Sequence, residues 1–253
     1  MCLVAIAWKT HPRWRLVLAG NRDEFHARPT AALAPWADRP GVLAGRDLRS
    51  GGSWAGVGPH GRMAVVTNVR DPRLAAPPGA PSRGALVADC LAGPTSAAEA
   101  ADALHARAAA FAPFNLLLAD AADCRYVGNW PGPQARTVPP GVHGVSNGPF
   151  DAPWPKTRRL CAALAGWLDG PAEDPAALWA ALADRSLAPD DQLPDTGIDL
   201  DLERRLSAAF IADPRYGTRA STLIALDHAG RGWIAERRFG PDGVFVGEIR
   251  LEI

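Results

Sequence analysis

The chain has 253 residues, 47% of them hydrophobic and 21% charged, with 27 basic and 27 acidic side chains and a formal net charge of zero. This is a globular composition, not a disordered one, and it is long enough to bury a sizeable core. The even balance offers no basic stripe for nucleic acid and no polybasic cluster for an anionic membrane. Residues 3–8, LVAIAW, read as a strand with Val4, Ile6 and Trp8 on the same face as Cys2. The chain turns near His11 and Pro12, and RLVLAGN forms the second arm of a hairpin. Residues 21–41 are punctuated by proline and read as a loop. SWAGV and RMAVVTN, joined by GPHG, form another hairpin. Two helical stretches follow, from Arg83 to Leu91 and from Ser96 to Phe111, the second opened by a capping box of Ser96 and Glu99. FNLLLAD and CRYVGNW are a third hairpin, and GVHGVSN is a short strand. The next helix carries Leu160, Leu164, Trp167 and Leu168 on one stripe, and PAALWAALAD and DLERRLSAAF are further helices. The chain ends in strands STLIALD, GWIAERRF and VFVGEIRLEI. Strands mostly follow strands, so the sheets are mainly antiparallel with helices outside, an α+β order. No repeat or low-complexity linker divides residues 1–253, which read as a single domain.

Lys9 and Lys156 are the only lysines; together with the many Ala, Pro and Gly, this reads as genomic composition bias. The apolar run after Cys2 is shorter than a signal-peptide core, and no segment reaches the 18–20 apolar residues of a membrane span. The expectation is a cytoplasmic protein without an integral membrane segment. The four cysteines, Cys2, Cys90, Cys124 and Cys161, show no metal-ligand or haem-attachment spacing. Cys90 and Cys161 lie on Ala-rich helical stretches and read as packing residues.

Asn21, Arg22, Asp23 and Glu24 end the strand that pairs with the one beginning at Cys2, so Arg22 and Asp23 fall near the chain terminus. From spacing alone these four residues read as a solvated turn with internal ion pairs. His26 and His143 read as polar surface groups near that end. GGSWAGV reads as a tight hairpin with a packed Trp54, since it lacks the lysine and following helix of a phosphate-binding loop. The other tryptophans read as mostly core, with a few available to line an apolar pocket.

MCLVAIAW, GNRDEFHARP, GGSWAGV, GRMAVVTNVRDP, HGVSNGPFDAPWPKT and YGTRASTLI, in this order along nearly the whole chain, resemble the NRDE family, also called the transport and Golgi organisation family. The family is similar to N-terminal nucleophile hydrolases. The resemblance implies a four-layer αββα sandwich of two mainly antiparallel sheets. It also implies that Met1 is removed and that Cys2 acts as an N-terminal nucleophile on an amide other than a protein peptide bond, or on another acyl bond. The α-amine, with an ordinary pKa near 7.7–8.0, would serve as base. By the same resemblance, Arg22 stabilises the thiolate and Asp23 orients the ammonium, with Asn21 an alternative match for the arginine. Asn68 and Asn147 face the oxyanion, and Arg219 is a late active-site arginine. Hydrolysis by this route requires no cofactor. The other function the resemblance offers is a haem-, acyl-CoA- or lipid-binding and trafficking protein on the same scaffold. Haem would then be held through Cys2 or a histidine.

Overall fold

The computed structural model describes residues 3–253. Cys2, the proposed nucleophile, and Met1 lie outside the described residues. The first sheet has the order β10-β1-β2-β11-β12-β13 and the second runs as a meander from β3 to β9. In the first sheet the strands are β1 (Leu3–Trp8), β2 (Trp14–Phe25), β10 (Gly141–Val145), β11 (Tyr216–Asp227), β12 (Gly232–Phe239) and β13 (Phe245–Glu252). In the second they are β3 (Thr30–Pro35), β4 (Leu43–Asp47), β5 (Ala55–Gly58), β6 (Arg62–Asn68), β7 (Phe114–Ala119), β8 (Cys124–Gly128) and β9 (Gln134–Thr137). All neighbouring strands pair antiparallel. The helices are α1 (Arg83–Ala92), α2 (Ala97–His105), α3 (Pro155–Asp169), α4 (Ala176–Leu182) and α5 (Leu200–Leu206).

Three apolar layers hold this arrangement. Val4, Ile6 and Trp8 of β1 and Leu16 and Leu18 of β2 meet Val57, Met63 and Val65 of the second sheet. The alternate residues Leu3, Ala5, Ala7, Val17 and Ala19 pack on Leu160, Leu164 and Trp167 of α3 and on Leu178 and Trp179 of α4. Leu86, Leu91, Ala101 and Leu104 of α1 and α2 cover Ala64, Val66, Leu116 and Leu118 on the far face of the second sheet. The result is the four-layer αββα sandwich. β1 is a continuous apolar run because both of its faces are buried. The capping box at Ser96 and Glu99 is present.

The segment 21–41 differs from its expected loop. β2 continues through Asn21 to Phe25, because β11 pairs along its whole length, from Phe25 opposite Tyr216 to Trp14 opposite Asp227. A partner about 200 residues away supplies the backbone bonds that a charged stretch does not advertise locally. Thr30–Pro35 then forms an edge strand with a bulge between Ala31 and Ala34. Its position at the edge tolerates the closing proline. β4 and β9 add two strands with little apolar signal. The helix expected over 201–210 ends at Leu206, where Ser207 turns its hydroxyl to the Arg204 carbonyl (2.6 Å) and Phe210 N–H bonds the Asp184 carbonyl (2.9 Å). The helix expected over 96–111 ends at His105 and is followed by one short 3-10 turn.

The two sheets are tied at one end by polar bonds. Thr67 Oγ1, at the end of β6, donates to the Ser146 carbonyl just after β10 (2.7 Å), and Asn147 Nδ2 donates to the Asn68 carbonyl (2.9 Å). Behind them Asn115 Nδ2 donates to Thr67 Oγ1 (3.0 Å) and to the Gly148 carbonyl (3.0 Å), while Tyr126 Oη donates to Asn115 Oδ1 (2.7 Å). Thr67 and Asn115 are buried, so each of these bonds protects groups that water cannot reach. Thr67→Val keeps the shape and removes the hydroxyl that links Asn115 to Ser146. It is expected to cost about 1–3 kcal/mol in urea unfolding with an unchanged m-value, and Thr67→Ser should recover most of the loss.

Candidate active site

Three segments of the first sheet meet at the tied end. Leu3, at the start of β1, is opposite Asn21 of β2, and Val4 is opposite Val145 of β10. Asn147 therefore follows two residues after the register partner of Val4. Asn68 arrives from the second sheet through its bond to Asn147. Arg22 and Asp23 from β2, Asn68 from the end of β6 and Asn147 from just after β10 are thus brought to one end of the sandwich by three strands. Two cavities open there, and Asp23 and Asn68 line both.

Alternation along β2 separates Asn21 from Arg22. Asn21 is fully buried on the helix side, where Nδ2 donates to the Leu182 and Ala209 carbonyls (2.8 and 2.7 Å) and Oδ1 accepts from Ser221 Oγ (2.6 Å). Those bonds make it a structural link between β2, α4 and the segment before β11. Arg22, 5% exposed, turns the other way. Its guanidinium lies over the Trp54 ring, 4.5 Å from the centroid, and donates to Thr30 Oγ1 (3.3 Å). Glu24 and Asp47 carboxylates stand 3.9 and 3.8 Å from it. A cation held between an aromatic face and two carboxylates has few alternative positions. Asp23 Oδ1 accepts from Thr218 Oγ1 (2.7 Å), and that hydroxyl also accepts the Ile211 N–H (2.9 Å).

The first cavity, of about 110 Å³, is polar and reaches from Arg22 and Asp23 to the start of α1 at Ser82–Gly84. GGSW sets its wall. Gly51 has φ +76°, and a Cβ on Gly52 would lie 2.3 Å from the Gly84 carbonyl carbon, so only glycine admits this approach of the loop to α1. Trp54 is buried, as the sequence suggests. Burial alone would raise the Asp47 pKa, but the Arg28 side chain (2.7 Å) and the Arg49 and Ser50 amides outweigh it and hold the carboxyl below its ordinary value. The second cavity, of about 200 Å³, is lined by Asp23, Asn68 and Asn147 together with Arg70, Lys156 and Tyr216, among others. No hydrogen bond to the Asn68 side-chain amide forms among the described residues.

Arg219 lines neither cavity. It is the extra residue of a bulge in β11, between Thr218 opposite Asp23 and Ala220 opposite Arg22. A bulge re-aims its side chain, and Nη1 donates to the Phe25, His26 and Arg28 carbonyls (2.9, 3.2 and 3.1 Å). Its position is a clamp on the turn that ends β2. His26 and His143 also lie outside both cavities, with His143 paired to Asp151 (2.9 Å). Burial pushes the thiol of Cys90 up to about 11 and those of Cys124 and Cys161 up to about 12. None of these three is a ready nucleophile at neutral pH. Among the described residues no group of three His, Cys, Asp or Glu is arranged to hold a metal ion, and no helix is long and apolar enough to cross a membrane.

Glu236 escapes a reading by motif. It sits in β12, 2% exposed, between the sheets, where Oε1 accepts the Leu33 N–H (2.9 Å). Gly45 leaves room for Oε2, since a Cβ there would lie 2.9 Å from it and 2.3 Å from the Trp54 ring. Burial raises the Glu236 carboxyl to about 7 against the opposing pull of the Leu33 amide, Arg238 and Arg22. Nothing in ERRF marks this glutamate as inward-facing; only the strand register does.

Residues 1–241 match the Transport and Golgi organisation 2 family. The chain belongs to this family. It is 31% identical over 260 residues to the Bos taurus Transport and Golgi organization protein 2 homolog, covering 94% of this chain and 92% of that protein. The Homo sapiens homolog is 29% identical over the same span and coverage. Two solved structures share the fold at low identity. A Caenorhabditis elegans N-acylethanolamine-hydrolyzing acid amidase ortholog superposes with a TM-score of 0.54 and 9% identity, over 88% of this chain and 92% of the other. A mutant (C2A) conjugated bile acid hydrolase from Clostridium perfringens gives 0.56 and 8%, over 99% and 92%. This family member therefore shares the fold of those two proteins.

The raised Glu236 carboxyl has a consequence for stability. The folded protein keeps this proton up to about pH 7, whereas the unfolded chain loses it near 4.3. Glu236 should therefore make folding less favourable as pH rises from about 4.3 to about 7, and no further above that. Glu236→Gln should gain relative to wild type across this window, by up to about 4 kcal/mol. Urea unfolding of both proteins at pH 4.5 and 7.5 measures the gap, and an equal gap at both would show an unshifted carboxyl.

Proposed function

We propose that the protein is a cysteine hydrolase or acyltransferase acting on a non-peptide amide or other acyl bond, with Cys2 as nucleophile once Met1 is removed. The supporting observation is the meeting of Arg22, Asp23, Asn68 and Asn147 at the end of the sandwich where β1 begins. Cys2 is joined to Leu3 by one peptide bond, which keeps the two Cα atoms about 3.8 Å apart, and Leu3 is the register partner of Asn21. The names of the two structural neighbours, an amidase and a conjugated bile acid hydrolase, fit the same class.

In this mechanism the α-amine takes the thiol proton, and the Arg22 guanidinium favours the thiolate. Arg22 serves better than Asn21, whose amide is engaged within the core. Sulfur attacks the carbonyl carbon. The oxyanion forms between the side-chain amides of Asn68 and Asn147; Asn147 spends one N–H on the Asn68 carbonyl and has a second. Asp23 orients the terminal ammonium, which gives its proton to the leaving nitrogen as the C–N bond breaks. The α-amine then takes a proton from water, or from an acceptor amine, whose attack breaks the thioester and frees the thiol. Arg219 supports the site by fixing the turn after Phe25. No metal or organic cofactor enters these steps.

Incubation with a panel of small acyl amides and thioesters, read by intact mass and product release, tests the proposal. Wild type should show a transient acyl adduct at Cys2, and Cys2→Ala none. Asn68→Ala should fold normally and lose about 100- to 1,000-fold in turnover. A panel that yields neither adduct nor product contradicts it, as does turnover that survives Cys2→Ala.

A further inference from the structure

Among the described residues the two sheets present the edge strands β3, β9, β10 and β13. The first three are blunted. β3 carries a bulge between Ala31 and Ala34 and ends in Pro35, while β9 and β10 are four and five residues long. β13 is eight residues long, holds no proline and has a strand, β12, on one side only. Gly232 and Ile253 exchange both backbone bonds (3.3 and 2.8 Å), and the register then runs unbroken from Trp233 opposite Glu252 to Arg238 opposite Gly247. Antiparallel pairs alternate between bonded and non-bonded. Gly247, Ile249 and Leu251 therefore bond β12, whereas Glu248, Arg250 and Glu252 direct their N–H and C=O groups to the open edge. The inner face of this edge is uncharged, with Ile249, Leu251 and Ile253 packed on the core between the sheets. At its start Val244, Phe245 and Val246 are all more than half exposed.

The outer face selects the partner. It carries Glu248, Arg250 and Glu252 in turn, with Glu248 paired to Arg237 (2.8 Å), Arg250 paired to Glu252 (3.0 Å) and the Arg250 guanidinium 4.5 Å from the Trp233 ring centroid. A second copy brought up antiparallel by a two-fold axis places one residue opposite itself. Centring on Glu248 or Arg250 sets like charges face to face, which is destabilising. Centring on Gly247 gives no charge an opposite partner and runs into the bulge at Val246, the extra residue between Gly247 opposite Arg238 and Phe245 opposite Phe239. Centring on Leu251 pairs only the end of the strand. Centring on Ile249 sets Glu248 opposite Arg250 of the other copy on both sides of the axis. Ile249 then meets Ile249 at a non-bonded position, where side chains approach closely, and Gly247 meets Leu251, so the inner face stays apolar. We infer that two copies of this chain pair their β13 strands across a two-fold axis at Ile249, joining their first sheets into one. Glu248 and Arg250 are exposed; a carboxylate accepts several bonds and a guanidinium donates five, so each keeps its partner within the chain and gains one across the axis. Val244–Val246 of each copy flank the Glu252–Ile253 end of the other. The interface does not depend on Cys2 or on the hydrolase reading.

Sedimentation equilibrium of the full chain tests this. Wild type should reach twice the chain mass of 26.7 kDa at micromolar to millimolar concentration. Glu248→Arg alone and Arg250→Glu alone each set like charges opposite one another on both sides of the axis, and each should weaken self-association about tenfold or more. In a mixed pair every arginine at these two positions faces a glutamate, so an equimolar mixture of the two variants should recover the dimer. In wild type the amides of Glu248 and Arg250 should exchange hydrogen more slowly as concentration rises, which reads the same edge even if a variant fails to fold. A wild type that stays at 26.7 kDa up to millimolar concentration overturns the inference. So does a dimer whose Glu248 and Arg250 amides gain no protection, one that both variants leave intact, or one that mixing does not restore. A polymer that grows with concentration overturns it as well, since head-to-tail pairing of β13 with another edge gives an open filament.

Discussion

Everything at the candidate site depends on the polar seam that ties β6 to the end of β10. Thr67 reaches the Ser146 carbonyl and Asn147 reaches the Asn68 carbonyl across the gap between two sheets. Twisted sheets packed face to face diverge at their corners, and an apolar core alone would leave these strand ends free to slide. The seam sets the separation of the two asparagines and holds both at the end where β1 begins. Asn115 and Tyr126 extend it into the second sheet, so the register of the site is fixed by buried, hydrogen-bonded groups.

Charge is arranged around this frame with the same economy of movement. Arg22 is confined by Trp54, Thr30 and two carboxylates, and Asp47 is confined in turn by Arg28 and two backbone amides. Glu236 approaches the same region from the core side and stays protonated to about pH 7. A neutral carboxyl there avoids a third negative charge on Arg22. As it ionises, it would draw on the guanidinium that is proposed to favour the thiolate. Gly45 and Gly52 make the arrangement possible by leaving space for Trp54 with Glu236 and for the first turn of α1.

The sequence was most legible where a signal is local. The double-sided burial of β1, the stripe of α3, the capping box of α2 and the hairpin at GPHG all follow from neighbours within a few residues. Asn68 and Asn147 could be located through the ordered family motifs, although as single residues they look like turn formers. β3, β4 and the far half of β2 were not legible, because their pairing partners are distant and their side chains are short, charged or proline-punctuated. Arg219 shows the limit most clearly. GTRAST resembles an active-site segment, yet one inserted residue in β11 sends its guanidinium to the carbonyls of a turn. Glu236 and Lys156 were invisible for the opposite reason: a charged residue in an amphipathic strand or helix gives no sign of facing inward.

The central claim is that Cys2 acts through a free α-amine beside Arg22 and Asp23. The intact mass of the purified, unmodified protein tests it most directly. The account predicts a mass lacking one methionine, with Cys2 as the first residue by terminal sequencing. Full retention of Met1 would deny Cys2 its terminal amine and contradict the mechanism at its first step.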